Sequence, residues 1–186
     1  MGLYLRRYQE NTKLQETCRF AADIMLIIIA AMAIVNFTCA KYVVSGSSMN
    51  PGLEKNNSVL VNKWAYSILK PGRYDVIAFA NSDEKGATVY IKRVIGLPGE
   101  TVQIKDKKVY INGELLEDDV ITQDILTAGL AAEEIKLGEG QFFVLGDNRN
   151  NSEDSRFAGI GLVDSDDIIG EVWFVTSPAN KISMVK

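Results

Sequence analysis

Residues 45–53 read SGSSMNPGL, three serines set against a Met-Asn-Pro turn. Serine hydroxyls beside a proline are ordinary turn formers, and they are also nucleophiles wherever a base can take their proton. The chain contains no histidine, which excludes a Ser-His-Asp triad and histidine-ligated zinc. A base for any of these serines must therefore be a lysine, a carboxylate or a terminal amine.

Two further stretches could carry chemistry. In YIKRVIGLPGE (90–100), strand alternation puts Tyr90 and Lys92 on one face and Ile91 and Arg93 on the other, so the adjacent cations point apart. Lys92 can then be enclosed by apolar side chains; the alternative is an exposed strand lysine. The stretch GDNRNNSEDSR (146–156) follows the apolar run FFVL. It reads either as a loop satisfying its own backbone through Asn, Asp and Ser side chains or as a calcium loop. Its spacing departs from the EF-hand pattern, and Arg149 and Arg156 would repel a cation.

The elements that must hold these residues are strands. SVLVNKWAY (58–66), DVIAFA (75–80), TVYIKRVI (88–95), TVQI (101–104), KVYI (108–111), FFVLG (142–146) and IIGEVWFVT (168–176) are rich in β-branched and aromatic residues. Turn chemistry separates them, as at Lys70-Pro71-Gly72, Leu97-Pro98-Gly99 and Ile111-Asn112-Gly113. A mainly antiparallel β domain is expected. The stretch 122–137, TQDILTAGLAAEEIKL, reads as a short helix or another hairpin.

Ahead of these strands, Ile24 to Ala40 runs 17 residues without a charge. We assign residues 1–19 to a cytoplasmic segment, 20–40 to a transmembrane anchor and 41–186 to an extracytoplasmic domain. Arg6, Arg7, Lys13 and Arg19 precede the span and Lys41 and Lys55 follow it, which favours a cytoplasmic N-terminus. The alternative is a cleaved signal peptide ending at Thr38-Cys39-Ala40, against which stand the length of the apolar run and Asp23 inside its entrance. Cys18 and Cys39, on the order of 30 Å apart on one helix, are beyond disulfide reach. Residues 42–186 carry 15 basic and 21 acidic residues, net −6, so no nucleic-acid partner is expected. Glu114 to Glu139 holds eight acids against Lys136 alone, a solvated acidic lobe near 112–140.

In this order and behind an anchor, the three stretches resemble the bacterial type I signal peptidases, membrane-bound serine proteases with a Ser-Lys dyad. The serine before Met-x-Pro selects Ser48 as nucleophile. A Lys-Arg-x-x-Gly-x-Pro-Gly-acid run is matched by Lys92, Arg93, Gly96, Pro98, Gly99 and Glu100, which makes Lys92 the general base. The Gly-Asp-Asn-x-x-x-Ser-x-x-Ser pattern is matched by Gly146, Asp147, Asn148, Ser152 and Ser155. The resemblance implies a β-sheet, barrel-like catalytic domain after one transmembrane helix, signal peptides of exported preproteins as substrates, membrane lipid as surroundings, and neither cofactor nor metal.

The assigned chemistry demands burial, because a free lysine with a pKa of about 10.4 is almost wholly protonated near neutral pH. Desolvation among side chains such as Val44, Val94 and Phe143 is expected to lower it. Ser152 is expected to orient the amine by a hydrogen bond. Asp147 is expected to pair with Arg93, and Asp154 with Arg156, away from the amine. Glycine stands at Gly52 where the family usually has threonine, which puts loop rigidity in question. Gly46 stands where many Gram-negative members have a serine that helps bind the oxyanion, as in the short Gram-positive members. The oxyanion would rest on the Ser48 N–H, with Ser47 or Ser45 as second donor. Val44, Leu53, Ala78, Tyr90 and Ile91 align with pocket positions that read small residues at −3 and −1 of the substrate. Two other readings are a membrane-anchored homologue serving as a non-proteolytic assembly factor, as in pilus biogenesis, and a secreted binding module.

Overall fold

The computed structural model describes residues 2–80, 88–117, 121–178 and 182–185. It divides into two units, up to Thr38 and from Cys39 onward.

The first unit is one helix, α1 (Gly2–Thr38). No glycine or proline interrupts the chain from Leu3 to Ser45, and Leu14–Val35 is long and apolar enough to cross a membrane. Its 22 residues extend about 33 Å, close to the hydrocarbon thickness of a bilayer. Apolar side chains lie all round it, Leu26, Ile27, Met32 and Ile34 among those exposed, as suits a helix solvated by lipid and not packed on a core. The helix runs unbroken through residues 2–19, and Cys39 and Ala40 leave it for a strand, where their backbones pair with Asn62 and Val61. The side chains of Arg6, Arg7 and Lys13 lie outside the described residues. Cys18 and Cys39 are free thiols.

The second unit is built of antiparallel strands. They are β1 (Cys39–Val43), β2 (Ser58–Asn62), β3 (Val76–Ala80), β4 (Val89–Gly96), β5 (Thr101–Lys105), β6 (Lys108–Ile111), β7 (Glu114–Leu115), β8 (Ile135–Lys136), β9 (Gln141–Leu145), β10 (Val163–Asp164), β11 (Ile168–Ser177) and β12 (Ser183–Met184). The larger sheet runs β1-β2-β11-β3-β4-β9-β10, with β12 on β11, and the smaller runs β7-β6-β5-β8. β2 turns Val59 and Val61 to the core by alternation, whereas β3, β4 and β9 are covered on both faces, with Ile77, Val94, Ile95 and Phe143 sealed from solvent.

Local chemistry explains the departures from the expected elements. The strand expected over 58–66 stops at Asn62, whose Oδ1 accepts the Trp64 N–H at 3.0 Å and turns the chain. A single helical turn, α2 (Ala65–Ile68), follows. Stretch 122–137 is neither α-helix nor hairpin: it is pinned by buried Ile125 and Ala131, makes a 3-10 turn over Gly129–Ala132, and ends in β8 against β5. Within the lobe near 112–140, residues 118–120 lie outside the described set; the lobe's sheet begins earlier, at Thr101.

Candidate active site

The serine cluster lies on the connection between β1 and β2, and its ends are clamped. Val44 N–H donates to Asn57 O at 2.9 Å and Asn56 N–H to Val44 O at 2.8 Å. Inside the loop, Leu53 N–H returns to Met49 O at 2.7 Å, and Met49 and Leu53 are buried as apolar anchors. A second loop holds it from the other side, with Asn148 N–H donating to Ser48 O at 2.9 Å. Gly146 is the contact point: a β carbon there would overlap the Ser152 hydroxyl and crowd the Ser48 carbonyl. Only glycine lets these loops meet so closely.

Ser48 Oγ lies 2.8 Å from Lys92 Nζ. An amine at this distance donates to the hydroxyl when protonated and can take the hydroxyl proton once neutral. Lys92 is 4% exposed. Burial pushes its ammonium below the ordinary lysine range, against the opposing pull of Asp154 and Glu153. Of the apolar groups expected round it, Val44 lines the same cleft and Val94 shares its strand face, whereas Phe143 belongs to a separate cluster with Ile95 and Leu145.

The two aspartates near the amine are engaged elsewhere. Arg93 Nε and Nη2 donate to Asp147 Oδ1 and Oδ2, both at 2.7 Å, and Arg93 Nη1 donates to Tyr74 O at 2.8 Å. Arg156 Nε and Nη2 donate to Asp154 at 2.7 and 2.8 Å, while Asp154 Oδ2 also accepts the Gly146 N–H at 3.0 Å. The Arg93–Asp147 pair fixes the 146–156 loop to β4, and the Asp154–Arg156 pair braces that loop internally. They also remove the calcium reading, since each aspartate already faces a guanidinium. Ser155 ties the loop to β9, its Oγ accepting the Val144 N–H at 2.9 Å. The Asp147 carboxylate also explains Gly52, for a β carbon there would overlap Asp147 Oδ2.

Three expected placements change. Ser152 does not reach Lys92; its hydroxyl packs on Gly146 and its hydrogen bond is a long one, 3.5 Å, to Glu153 O. Ser47 stands outside the cleft, its Oγ accepting from Asn151 Nδ2 at 3.1 Å and its carbonyl from Asn148 Nδ2 at 3.2 Å. The cleft is lined instead by Ser45 and Gly46 with Ser48. Leu53 and Ala78 are sealed in the core behind the cleft, and of the expected pocket residues Val44, Tyr90 and Ile91 line it. Val43, Thr88, Val89 and Glu153 complete the wall without having been foreseen. No motif marks them; only their place beside Val44, Tyr90 and Ser152 in the chain does. Among the described residues, the Ser48 backbone N–H is given to no internal acceptor, and a β carbon on Gly46 would meet nothing nearer than that nitrogen at 4.0 Å.

A serine hydroxyl, a desolvated amine and a backbone N–H with no acceptor among the described residues therefore meet in a cleft with apolar walls, an arrangement suited to acyl transfer. Residues 17–177 match the family described as signal peptidase, peptidase S26. The chain is 34% identical over 193 residues to signal peptidase I T of Bacillus subtilis (strain 168), covering 96% of this chain and 98% of that protein. It is likewise 34% identical to a signal peptidase I of Bacillus amyloliquefaciens, over 96% of this chain and 97% of the other. A crystal structure of a signal peptidase I from Enterococcus faecalis V583 is 35% identical, covers 56% of this chain and 98% of its own, and superposes with a TM-score of 0.46.

Proposed function

The chain belongs to the signal peptidase family, peptidase S26, and from that membership we propose that it is a membrane-anchored serine endopeptidase that removes signal peptides from exported preproteins, with Ser48 as nucleophile and Lys92 as general base. The observation that carries the roles is the 2.8 Å approach of Lys92 Nζ to Ser48 Oγ at a buried site where the aspartates are held by arginines.

In this reading neutral Lys92 takes the Ser48 proton as Oγ attacks the carbonyl carbon of the −1 residue. The resulting oxyanion rests on the Ser48 N–H, with Ser45, a hydroxyl that lines the cleft, as a second donor. Collapse expels the amine of the mature chain, which takes the proton from Lys92, and water then hydrolyses the acyl ester with Lys92 again as base. Ser152, packed on Gly146 in the loop that latches Ser48, serves as a support of that loop. The buried pairs Arg93–Asp147 and Asp154–Arg156 act as supports. Val44, Tyr90 and Ile91 form shallow apolar walls for small residues at −3 and −1, and α1 anchors the chain with its N-terminus in the cytoplasm and the β unit on the extracytoplasmic side.

The test is cleavage of a purified preprotein by the detergent-solubilised chain and by its Ser48→Ala variant, with the product N-terminus read by mass spectrometry. One cut after a small residue by the wild type and none by the variant is expected. An uncut preprotein, or equal cleavage by both, would contradict the reading.

A further inference from the structure

The cleft that ends at Ser48 and Lys92 has one solvent-facing acid in its wall. Of its lining residues, only Tyr90, Lys92 and Glu153 are ionisable; Lys92 is buried and Glu153 is exposed. Glu153 follows Ser152 in the loop that latches Ser48, and its carboxylate lies outside both buried ion pairs. It is placed against the backbone of the neighbouring loop, where a β carbon on Gly159 would stand 2.8 Å from its Oε1. It is also near enough to Lys92 for its charge to act on that amine.

A substrate lying extended along the cleft alternates its side chains between two directions. Residues −3 and −1 share one direction, toward the buried wall of Val44 and Ile91. Residues −2 and +1 share the other, toward the rim. An exposed carboxylate at the catalytic end meets this second pair. We propose that Glu153 is a specificity-determining residue, favouring preproteins with a basic side chain at −2 or +1 and disfavouring an acidic one there. This rests on the peptidase reading above. It adds a charge criterion that the small-residue pockets do not supply.

The experiment uses the full detergent-solubilised chain and signal-peptide substrates that differ only in carrying Lys, Gln or Glu at −2, with a second trio varied at +1. Partly exposed charge pairs are modest in water, so the ratio of kcat/KM for the Lys over the Glu substrate should be about tenfold in the more responsive trio at low salt. It should shrink as ionic strength rises. Glu153→Gln should bring the ratio close to one and Glu153→Lys should invert it, while Glu153→Asp should keep its direction. A structural role for Glu153 would lower all substrates alike and leave the ratio intact. A wild-type ratio near one in both trios, or a ratio unchanged in Glu153→Gln, overturns the proposal. Failure of the wild type to cut even the Gln substrates would overturn the peptidase reading itself, and the proposal with it.

Discussion

Lys92 and Arg93 are neighbours on β4 and almost equally hidden, at 4% and 2% exposure, yet the two faces of the strand treat their charges in opposite ways. On one face Arg93 meets a bidentate carboxylate, Asp147, and a backbone carbonyl, so its guanidinium is fully matched. On the other, Lys92 meets a hydroxyl and apolar walls, and burial lowers its hold on a proton. A buried cation with a carboxylate acts as a fastener; a buried amine without one gives up its proton more readily, as a base must. The period of two in a β-strand is what lets one dipeptide supply both.

This contrast can be broken most severely on the Lys92 face. Ser48→Ala and Lys92→Ala should each remove measurable cleavage while far-UV circular dichroism stays unchanged. Lys92→Arg should be as inactive, since a guanidinium keeps its proton at any working pH. Activity of that variant within tenfold of wild type would erase the distinction between the two cations.

On the Arg93 face the expected loss is in stability. Asp147→Asn leaves a buried guanidinium without its counter-charge and should cost about 3–5 kcal/mol in a denaturant titration. Gly52→Thr should act in the same direction, because its β carbon takes the space of the Asp147 carboxylate. Unchanged midpoints would mean that this pair holds nothing.

Lys92→Met should have the opposite sign. Because the folded pKa of Lys92 lies below its unfolded value, the unfolded chain binds its proton more tightly between the two. Stability therefore falls as pH drops through that window, and the cost is complete below the folded value. The variant should melt higher than wild type, most clearly at low pH, with the gap closing as pH approaches about 10.4. Equal melting temperatures across pH would contradict a desolvated amine.

The smallest effect sharpens the site. Gly46 has open space toward the Ser48 N–H, so Gly46→Ser should add a second oxyanion donor and raise kcat by up to about tenfold with KM little changed. An unchanged kcat would mean that the oxyanion is already fully held.

Much of this was legible in the sequence because it rests on local rules. The missing histidine restricted the base and strand alternation parted Lys92 from Arg93, while the pairing of Asp147 with Arg93 and of Asp154 with Arg156 came with the family resemblance. What stayed hidden depends on contacts between distant segments. Choosing Ser45 over Ser47 as the hydroxyl of the cleft requires knowing that Asn151, 104 residues away, holds Ser47. Leu53 and Ala78 pass for pocket residues in the sequence, since their burial comes from the Met49, Val59 and Val172 cluster behind the cleft. The two-residue strands β7, β8, β10 and β12 carry too few residues for a periodic pattern, and exist through pairing with longer neighbours.

The central claim is that burial on its face of β4 holds Lys92 below the ordinary lysine range, no carboxylate being bound to it as Asp147 is to Arg93. The direct measurement is a titration of the 13Cε resonance of Lys92 in the detergent-solubilised chain, assigned by its loss in Lys92→Met. A midpoint well below that of the surface lysines is predicted. A midpoint with theirs, near 10.4, would contradict the account.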